Sequence, residues 1–234
     1  MLEEALSCDA NISAIIFCPA LLHSERGIQA LKKTQARSIQ LFSADETLFT
    51  SLSDTVTSQG IFAVIRHDTR AFRVEDVTKK SLLVALNDIS DPGNAGTIIR
   101  TADWFGADAV LFDATTVELT NPKTLRSTAG SNFHIPVYEG IHLSDILPRL
   151  QQSGFKIYAS SANGSRNLFE MKSFEKCLFI FGNEGAGVNP EIEKLCDATV
   201  AISRFGKAES LNVSVAAGIF MAHLSGKKKQ VNSK

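Results

Sequence analysis

The sequence predicts an α/β protein whose larger, C-terminal part is a parallel sheet with helices on both faces. Three observations carry this. From Ser81 onward, short apolar runs alternate strictly with helical stretches. The runs Leu82-Leu83-Val84-Ala85-Leu86 and Cys177-Leu178-Phe179-Ile180-Phe181 are continuous, as in strands buried on both faces. Three polar stretches fall at strand-to-helix junctions, where open parallel sheets hold ligands at the carboxyl ends of their strands.

In chain order, Leu2–Leu6 reads as a helix and Ala14–Phe17 as a short buried strand. Ser24–Lys33 is helical, with Ile28 and Leu31 on its apolar face. Ile39–Phe42 is a strand, and Ser43 or Asp45 caps a helix through Leu52. Ser58-Gln59-Gly60 turns into a third strand, Ile61–Ile65. Residues 1–65 are thus a small α/β unit without catalytic spacing. Residues 66–80 are charged and carry no apolar period, so they read as a linker. Beyond it, strands are expected at Leu82–Leu86, Ala109–Phe112, Ile135–Tyr138, Lys156–Ala159, Cys177–Phe181 and Thr199–Ile202. Helices are expected at Asn94–Phe105, Pro122–Ala129, Leu143–Gln152, Pro190–Cys196 and from Ser210 to about Leu224. That domain spans 81–226, and 227–234 is a basic tail.

Lys and Arg number 24 against 25 Asp and Glu, a net charge of −1, so there is no global basic field. Lys227-Lys228-Lys229 is a local patch of the kind usually found on solvated ends. Cys8, Cys18, Cys177 and Cys196 form no CxxC pair, and read as reduced thiols rather than metal ligands or disulfides. The start, MLEEALSCDA, lacks the basic-then-apolar order of a signal peptide, and no apolar run is long enough to span a bilayer. A cytoplasmic protein is expected.

The first polar stretch is Asn87-Asp88-Ile89-Ser90-Asp91-Pro92-Gly93-Asn94-Ala95-Gly96, where Asn94 can cap the following helix. Arg100 lies six residues on, off the Asn94 face by about two-thirds of a turn. It belongs either to an ion pair with Asp103 or Asp91, or to the binding of an anionic substrate. The second stretch is Gly182-Asn183-Glu184-Gly185-Ala186-Gly187. Its order is G-x-x-G-x-G, not the G-x-G-x-x-G that opens a dinucleotide-binding helix, which disfavours a nucleotide-dependent oxidoreductase. Its glycines let backbone approach a flat ligand closely. Glu184 argues against phosphate and suits a ribose hydroxyl, an amino group or a cation. The third stretch is Glu209-Ser210-Leu211-Asn212, with Ser210 as the expected N-cap of the last helix.

Asn94-Ala95-Gly96-x-x-x-Arg100, Gly182-Asn183-Glu184-Gly185 and Ser210-Leu211-Asn212-Val213-Ser214 together resemble the three motifs of the SpoU/TrmH family of RNA ribose 2′-O-methyltransferases. They come in that family's order and at its spacings, over residues 81–226. Residues 1–65 resemble the family's optional, ribosomal-protein-like substrate-binding domain. That domain's usual first strand and preceding basic segment are missing, so the start is either truncated or trimmed. Ser203-Arg204 stands where relatives often have Pro and an apolar residue.

The resemblance implies a C-terminal domain tied in a deep trefoil knot that forms the S-adenosylmethionine pocket. It implies cofactor-binding roles for Ser161, Gly182, Asn183, Glu184, Gly185, Ile202, Leu211 and Asn212, and catalytic roles for Asn94, Arg100, Glu184, Ser210 and Asn212, without metal. It implies a homodimer with the knot and the last helix at the interface; Ala216, Ala217, Ile219, Phe220 and Leu224 would serve both core and partner. The implied substrate is RNA, ribosomal RNA before transfer RNA. A non-catalytic RNA-binding relative is the alternative of another class, against which the intact polar set speaks.

Overall fold

A computed structural model describes residues 1–8, 10–53, 58–67, 71–77, 79, 82–171 and 176–225. Arg70, Ser81 and Lys227-Lys228-Lys229 lie outside the described residues. Contacts divide the chain into two compact units, Met1–Asp68 and Thr69–Lys234.

The first unit runs α1 (Leu2–Ser7), β1 (Ile12–Phe17), α2 (Glu25–Gln35), β2 (Gln40–Ser43), α3 (Glu46–Leu52) and β3 (Ile61–Ile65). β1 is central, parallel to β2 and antiparallel to β3. Asp45, not Ser43, caps α3, accepting from Leu48 N at 2.8 Å. The buried face of α2 is Gly27, Ala30 and Thr34, while Ile28 is exposed. Small residues let that helix lie close to its neighbours, a preference that outweighed the apolar period. Phe49 and Phe62 meet at 5.1 Å over the small core of Cys18 and Ala44.

The second unit runs β4 (Leu82–Asn87), α4 (Pro92–Trp104), β5 (Ala109–Asp113), α5 (Pro122–Thr128), β6 (Val137–Ile141), α6 (Leu143–Gln152), β7 (Lys156–Ser160), β8 (Arg166–Asn167), β9 (Cys177–Gly182), α7 (Pro190–Glu193), β10 (Ala198–Ala201) and α8 (Val213–Ser225). Seven parallel strands lie in the order β6-β5-β4-β9-β7-β10-β8. Alternate residues of each inner strand feed opposite faces. Val84, Leu86, Phe179 and Phe181 pack with Ile98 and Ile99 of α4 and Phe220 of α8. Leu83, Ala85, Leu178 and Ile180 pack with Leu147 and Leu150 of α6. Both faces are covered, which is why no polar alternation is visible in these strands.

Residues 71–77 are more than a connector. Val74 and Val77 sit three apart on a single 3-10 turn, and both are buried in the second unit's core. Two residues are too few to register as a period. Gly96 has a separate role: a Cβ there would lie 2.4 Å from Thr124 O and 2.6 Å from Ser127 Cβ, so glycine lets α4 seat against α5.

All seven strands being parallel, their carboxyl ends share one edge. The chain builds outward from β4 through β5 to β6, then crosses to β7 on the other side of β9. The loops after β4 and β9 therefore flank the point where strand order reverses, the usual place for a ligand crevice.

Candidate active site

The foundation is a pair of buried polar residues at two strand ends. Asn87 and Asp113 are 3% and 8% exposed. Asn87 Nδ2 donates to Asp113 Oδ2, and its Oδ1 accepts from Asn189 N at 2.8 Å. Asp113 Oδ1 also accepts from Thr115 N at 2.9 Å and Thr116 N at 3.0 Å. One amide and one carboxylate thus tie the ends of β4 and β5 to the segment after β9. Buried polar groups of this kind persist only when hydrogen-bonded, so the cluster fixes those loops in register.

Asp91 caps α4, accepting from Asn94 N at 2.9 Å, and Pro92 follows at the first helical position. This corrects the expectation that Asn94 is the cap. Lys123 Nζ sits 2.8 Å from Asp91 Oδ2 and, with the Asn94 N–H, holds that carboxyl below its usual range. Relieved of capping, the Asn94 side chain turns to the other motifs. Its Nδ2 donates to Glu184 Oε1 at 2.9 Å, and its Oδ1 accepts from Asn212 Nδ2 at 3.0 Å. Glu184 also accepts from Ser90 Oγ at 3.3 Å and, more weakly, from Asp91 N at 3.4 Å. Burial pushes the Glu184 carboxyl up, but the bonds from Asn94 and from backbone N–H groups outweigh it and leave it below the usual range. The carboxylate also lies at the positive end of α4.

Asn212 is the residue that starts α8. Its Oδ1 accepts from Ser214 N at 2.9 Å and Val215 N at 3.3 Å, and its carbonyl accepts from Ala216 N at 2.9 Å. The expected cap, Ser210, lies two residues before the capping Asn212 and is exposed. The side-chain amide of Asn212 puts the capping oxygen and the N–H donated to Asn94 on two separate atoms.

In the glycine loop, Asn183 Oδ1 accepts from Gly185 N at 2.9 Å and Ala186 N at 3.1 Å, while its Nδ2 donates to Asp88 O at 3.0 Å. Gly187 N returns to Asn183 O at 2.9 Å. A Cβ on Gly182 would fall 2.1 Å from Val188 N and 2.2 Å from Gly187 C. Gly182 therefore makes room for the loop's own returning backbone, where the sequence suggested room for a ligand. Open space lies further on: at Gly187 an added Cβ would meet nothing within 4 Å, and at Gly185 only Asn183 Oδ1 at 3.6 Å.

Three motifs that are remote in sequence thus meet as Asn212, Asn94 and Glu184, with Asn183 and Gly185 alongside. Ser161, at the carboxyl end of β7, is half-buried, its N–H bonded to Val200 O at 3.0 Å. Ile202 is half-buried just past β10, and Leu211 is 50% exposed beside Asn212. Arg100 and Ser210 are not joined to this network among the described residues. Arg100 is exposed, and neither proposed ion pair forms: Asp103 pairs with His134 at 2.9 Å and Asp91 with Lys123. Sequence reasoning missed Asn87, Asp88, Ser90, Asp91 and Asp113 as members. The Asp91-Pro92 pair was a legible helix-start signal; Asp113 carried none, its importance arising from strand pairing alone.

Among the described residues, no helix is long and apolar enough to cross a membrane. The SpoU rRNA Methylase family profile matches residues 81–222. The 23S rRNA (guanosine(2553)-2′-O)-methyltransferase RlmP of Bacillus subtilis is 36% identical over 226 residues, covering 97% of this chain and 86% of that protein. The 23S rRNA (guanosine-2′-O-)-methyltransferase RlmB of Neisseria meningitidis is 28% identical, covering 88% and 84%. Among solved structures, the AdoMet-bound rRNA methyltransferase from Sinorhizobium meliloti superposes with a TM-score of 0.80 at 26% identity, covering 95% of this chain and 82% of that one. The SpoU methyltransferase AviRb from Streptomyces viridochromogenes shares the fold with a TM-score of 0.86 at 22% identity, covering 97% and 87%. With the matching profile spanning all three motif loops, and the site assembled from those same loops, this chain belongs to the SpoU rRNA methylase family.

Proposed function

We propose that this chain transfers a methyl group from S-adenosylmethionine to a ribose 2′-hydroxyl of RNA, with ribosomal RNA as the substrate class. The observation that carries this is the Asn212–Asn94–Glu184 chain at the carboxyl edge of β4 and β9. The family membership and the rRNA relatives support it. The residues present suit the cofactor: open space at Gly185 and Gly187 can receive a flat ring, with Leu211, Ile202 and Ser161 at the edges of the adjoining loops.

When bound, S-adenosylmethionine supplies a methyl carbon on a sulfonium, already activated for attack. The protein's task is therefore positioning and exclusion of water. Asn94 is locked in one orientation by Glu184 and Asn212 and presents the start of α4 to the substrate. Glu184 holds Asn94 and the Ser90–Asp91 turn. Arg100 grips the phosphate beside the reacting ribose through two parallel N–H donors. Ser210 and Asn212 flank the entry to the site.

Residues 1–65 form an RNA-binding domain on this reading, supported by their resemblance to the family's substrate-binding domain. Incubating the protein with labelled S-adenosylmethionine and separated ribosomal and transfer RNA is expected to label a ribose in ribosomal RNA. A chain lacking residues 1–65 is expected to bind the cofactor as before and RNA more weakly. Label on a base, or in transfer RNA alone, overturns the substrate assignment; unchanged RNA affinity overturns the domain's.

The second unit is knotted on the same reading. β10 is separated from β4 by β9 and β7, yet eleven residues past its end Asn212 bonds Asn94 at the start of α4. The linking segment must cross the sheet's edge to do so. A knotted chain pulled from its ends stops short of full contour length; full extension overturns the knot. The assembly is a homodimer. Of the face expected to serve core and partner, Ala217, Phe220 and Leu224 are buried in the unit's own core, while Ala216 and Ile219 stay partly exposed. The support comes from Trp104 and Val215, 84% and 51% exposed on two helices that pack together. A monomeric mass by light scattering for the active enzyme overturns it.

A further inference from the structure

Between β10 and α8 the chain runs over residues 202–212 at the carboxyl edge of the sheet and ends at Asn212, bonded to Asn94. Phe205 in this loop is 96% exposed, the most exposed large apolar side chain among the described residues. Leaving a whole phenyl ring in water forgoes a substantial burial gain, so such a residue marks a contact surface more often than a scattered aliphatic does. Its neighbours select the kind of partner. Arg204 and Lys207 are exposed on either side of it. Lys207 makes no ion pair with a described residue, and Arg204 Nη1 donates to Ala208 O at 3.4 Å, bracing the loop. Glu209 is the single acid of the loop and lies at its far end, beside Ser210. At Gly206 an added Cβ would meet nothing within 4 Å, so the space around the tip is open.

We propose that Arg204, Phe205 and Lys207 form a hook that stacks one unpaired RNA base on the Phe205 ring and holds the phosphates on either side. The inference rests on the reading of this chain as an RNA methyltransferase and specifies how the substrate is seated. A ring between two cations matches single-stranded RNA, whose bases offer a π face and whose backbone offers a charge on each side of it. With a net charge of −1, the chain has no broad field to attract RNA, so local contacts of this kind must supply affinity. The loop's far end is anchored at Asn212, in the proposed site. RNA sites are read where bases are already unstacked, which also exposes the target ribose.

The test uses the full chain, a short single-stranded RNA carrying 2-aminopurine, and a 23S rRNA transcript as methyl acceptor. Phe205→Ala is expected to weaken binding of the oligonucleotide about tenfold or more and to lose the stacking-induced fluorescence quench, while Phe205→Trp retains both. KM for the transcript rises and S-adenosylmethionine affinity stays as in the wild type. Arg204→Gln and Lys207→Gln each lower the slope of log affinity against log salt by about 0.7. RNA binding by Phe205→Ala equal to wild type overturns the hook, as does a parallel loss of cofactor affinity, which would assign Phe205 to the cofactor pocket. If the wild type methylates the transcript while Phe205→Ala is indistinguishable from it, the hook fails and the enzymatic reading stands. If the wild type neither binds nor methylates RNA, both fail.

Discussion

Arg100→Ala is expected to lower methyl transfer by on the order of a hundredfold, the size of effect that follows when a reacting group loses a positioning contact. Melting temperature and S-adenosylmethionine affinity are expected to stay at wild-type values. The reason is its placement. Arg100 is exposed on α4, six residues past Asn94 and so about 9 Å further along the helix axis. Its two candidate carboxylates are already engaged, Asp103 by His134 and Asp91 by Lys123. Removing an exposed, unpaired side chain changes stability by no more than about 0.5 kcal/mol. Arg100→Lys is expected to fail as well, since an ammonium cannot reproduce a planar two-point grip. Had Arg100 been buried against a carboxylate, its loss would have cost about 3–5 kcal/mol through the charge left behind. Single-turnover transfer, calorimetric cofactor titration and thermal melting of the two variants check this together. A large fall in melting temperature in Arg100→Ala would make the residue structural and end its catalytic assignment.

Gly182→Ala is expected to abolish cofactor binding and to lower the melting temperature. The added Cβ has nowhere to go: Val188 N at 2.1 Å and Gly187 O at 2.3 Å are backbone atoms, which cannot rotate aside. β9 is paired on both edges, with β4 and β7, so the strand cannot shift to relieve the clash. Overpacking of this kind costs about 3 kcal/mol, or roughly 6–12 °C in a chain of this size. Gly185→Ala is the control. Its Cβ would make an ordinary contact with Asn183 Oδ1 at 3.6 Å, so the fold is expected to be unaffected. Cofactor affinity in that variant reports on the open side of the loop alone. Normal melting and normal titration for Gly182→Ala would show that the loop tolerates opening.

The two variants mark where the sequence was legible. The parallel sheet was readable because its strands are buried on both faces, and continuous apolar runs separated by helices have few other solutions. Strand existence therefore came through for every strand of the second unit except the two-residue β8, while ends moved by up to three residues. β6 is Val137–Ile141 where Ile135–Tyr138 was expected, and β10 stops at Ala201, leaving Ile202 in the loop. Such ends are decided by pairing with a neighbour, which no local pattern records. Asn94, Glu184 and Asn212 could be named as site members from the motif resemblance; the bond between Asn94 and Asn212 could not.

By itself the sequence determined the fold class, the three polar loops and the family, because each depends on local chemistry: burial of strands, turn residues at their ends, and short motifs in order. Only the tertiary structure decided how those loops use their side chains. Whether an asparagine caps its own helix or reaches another loop depends on which residue has already satisfied the helix N–H groups. Asp91 does so for α4, and that frees Asn94; Asn212 caps α8 and still reaches Asn94. The same holds for the charges. An arginine flanked by Ile98, Ile99 and Ala102 looks buried in a linear reading, but those three face the core while the helix turns Arg100 to solvent, and competing partners take its carboxylates. Hydrogen bonds and ion pairs across distant loops are competitions among groups brought together by folding, so their winners are set by distances that the order of residues does not contain.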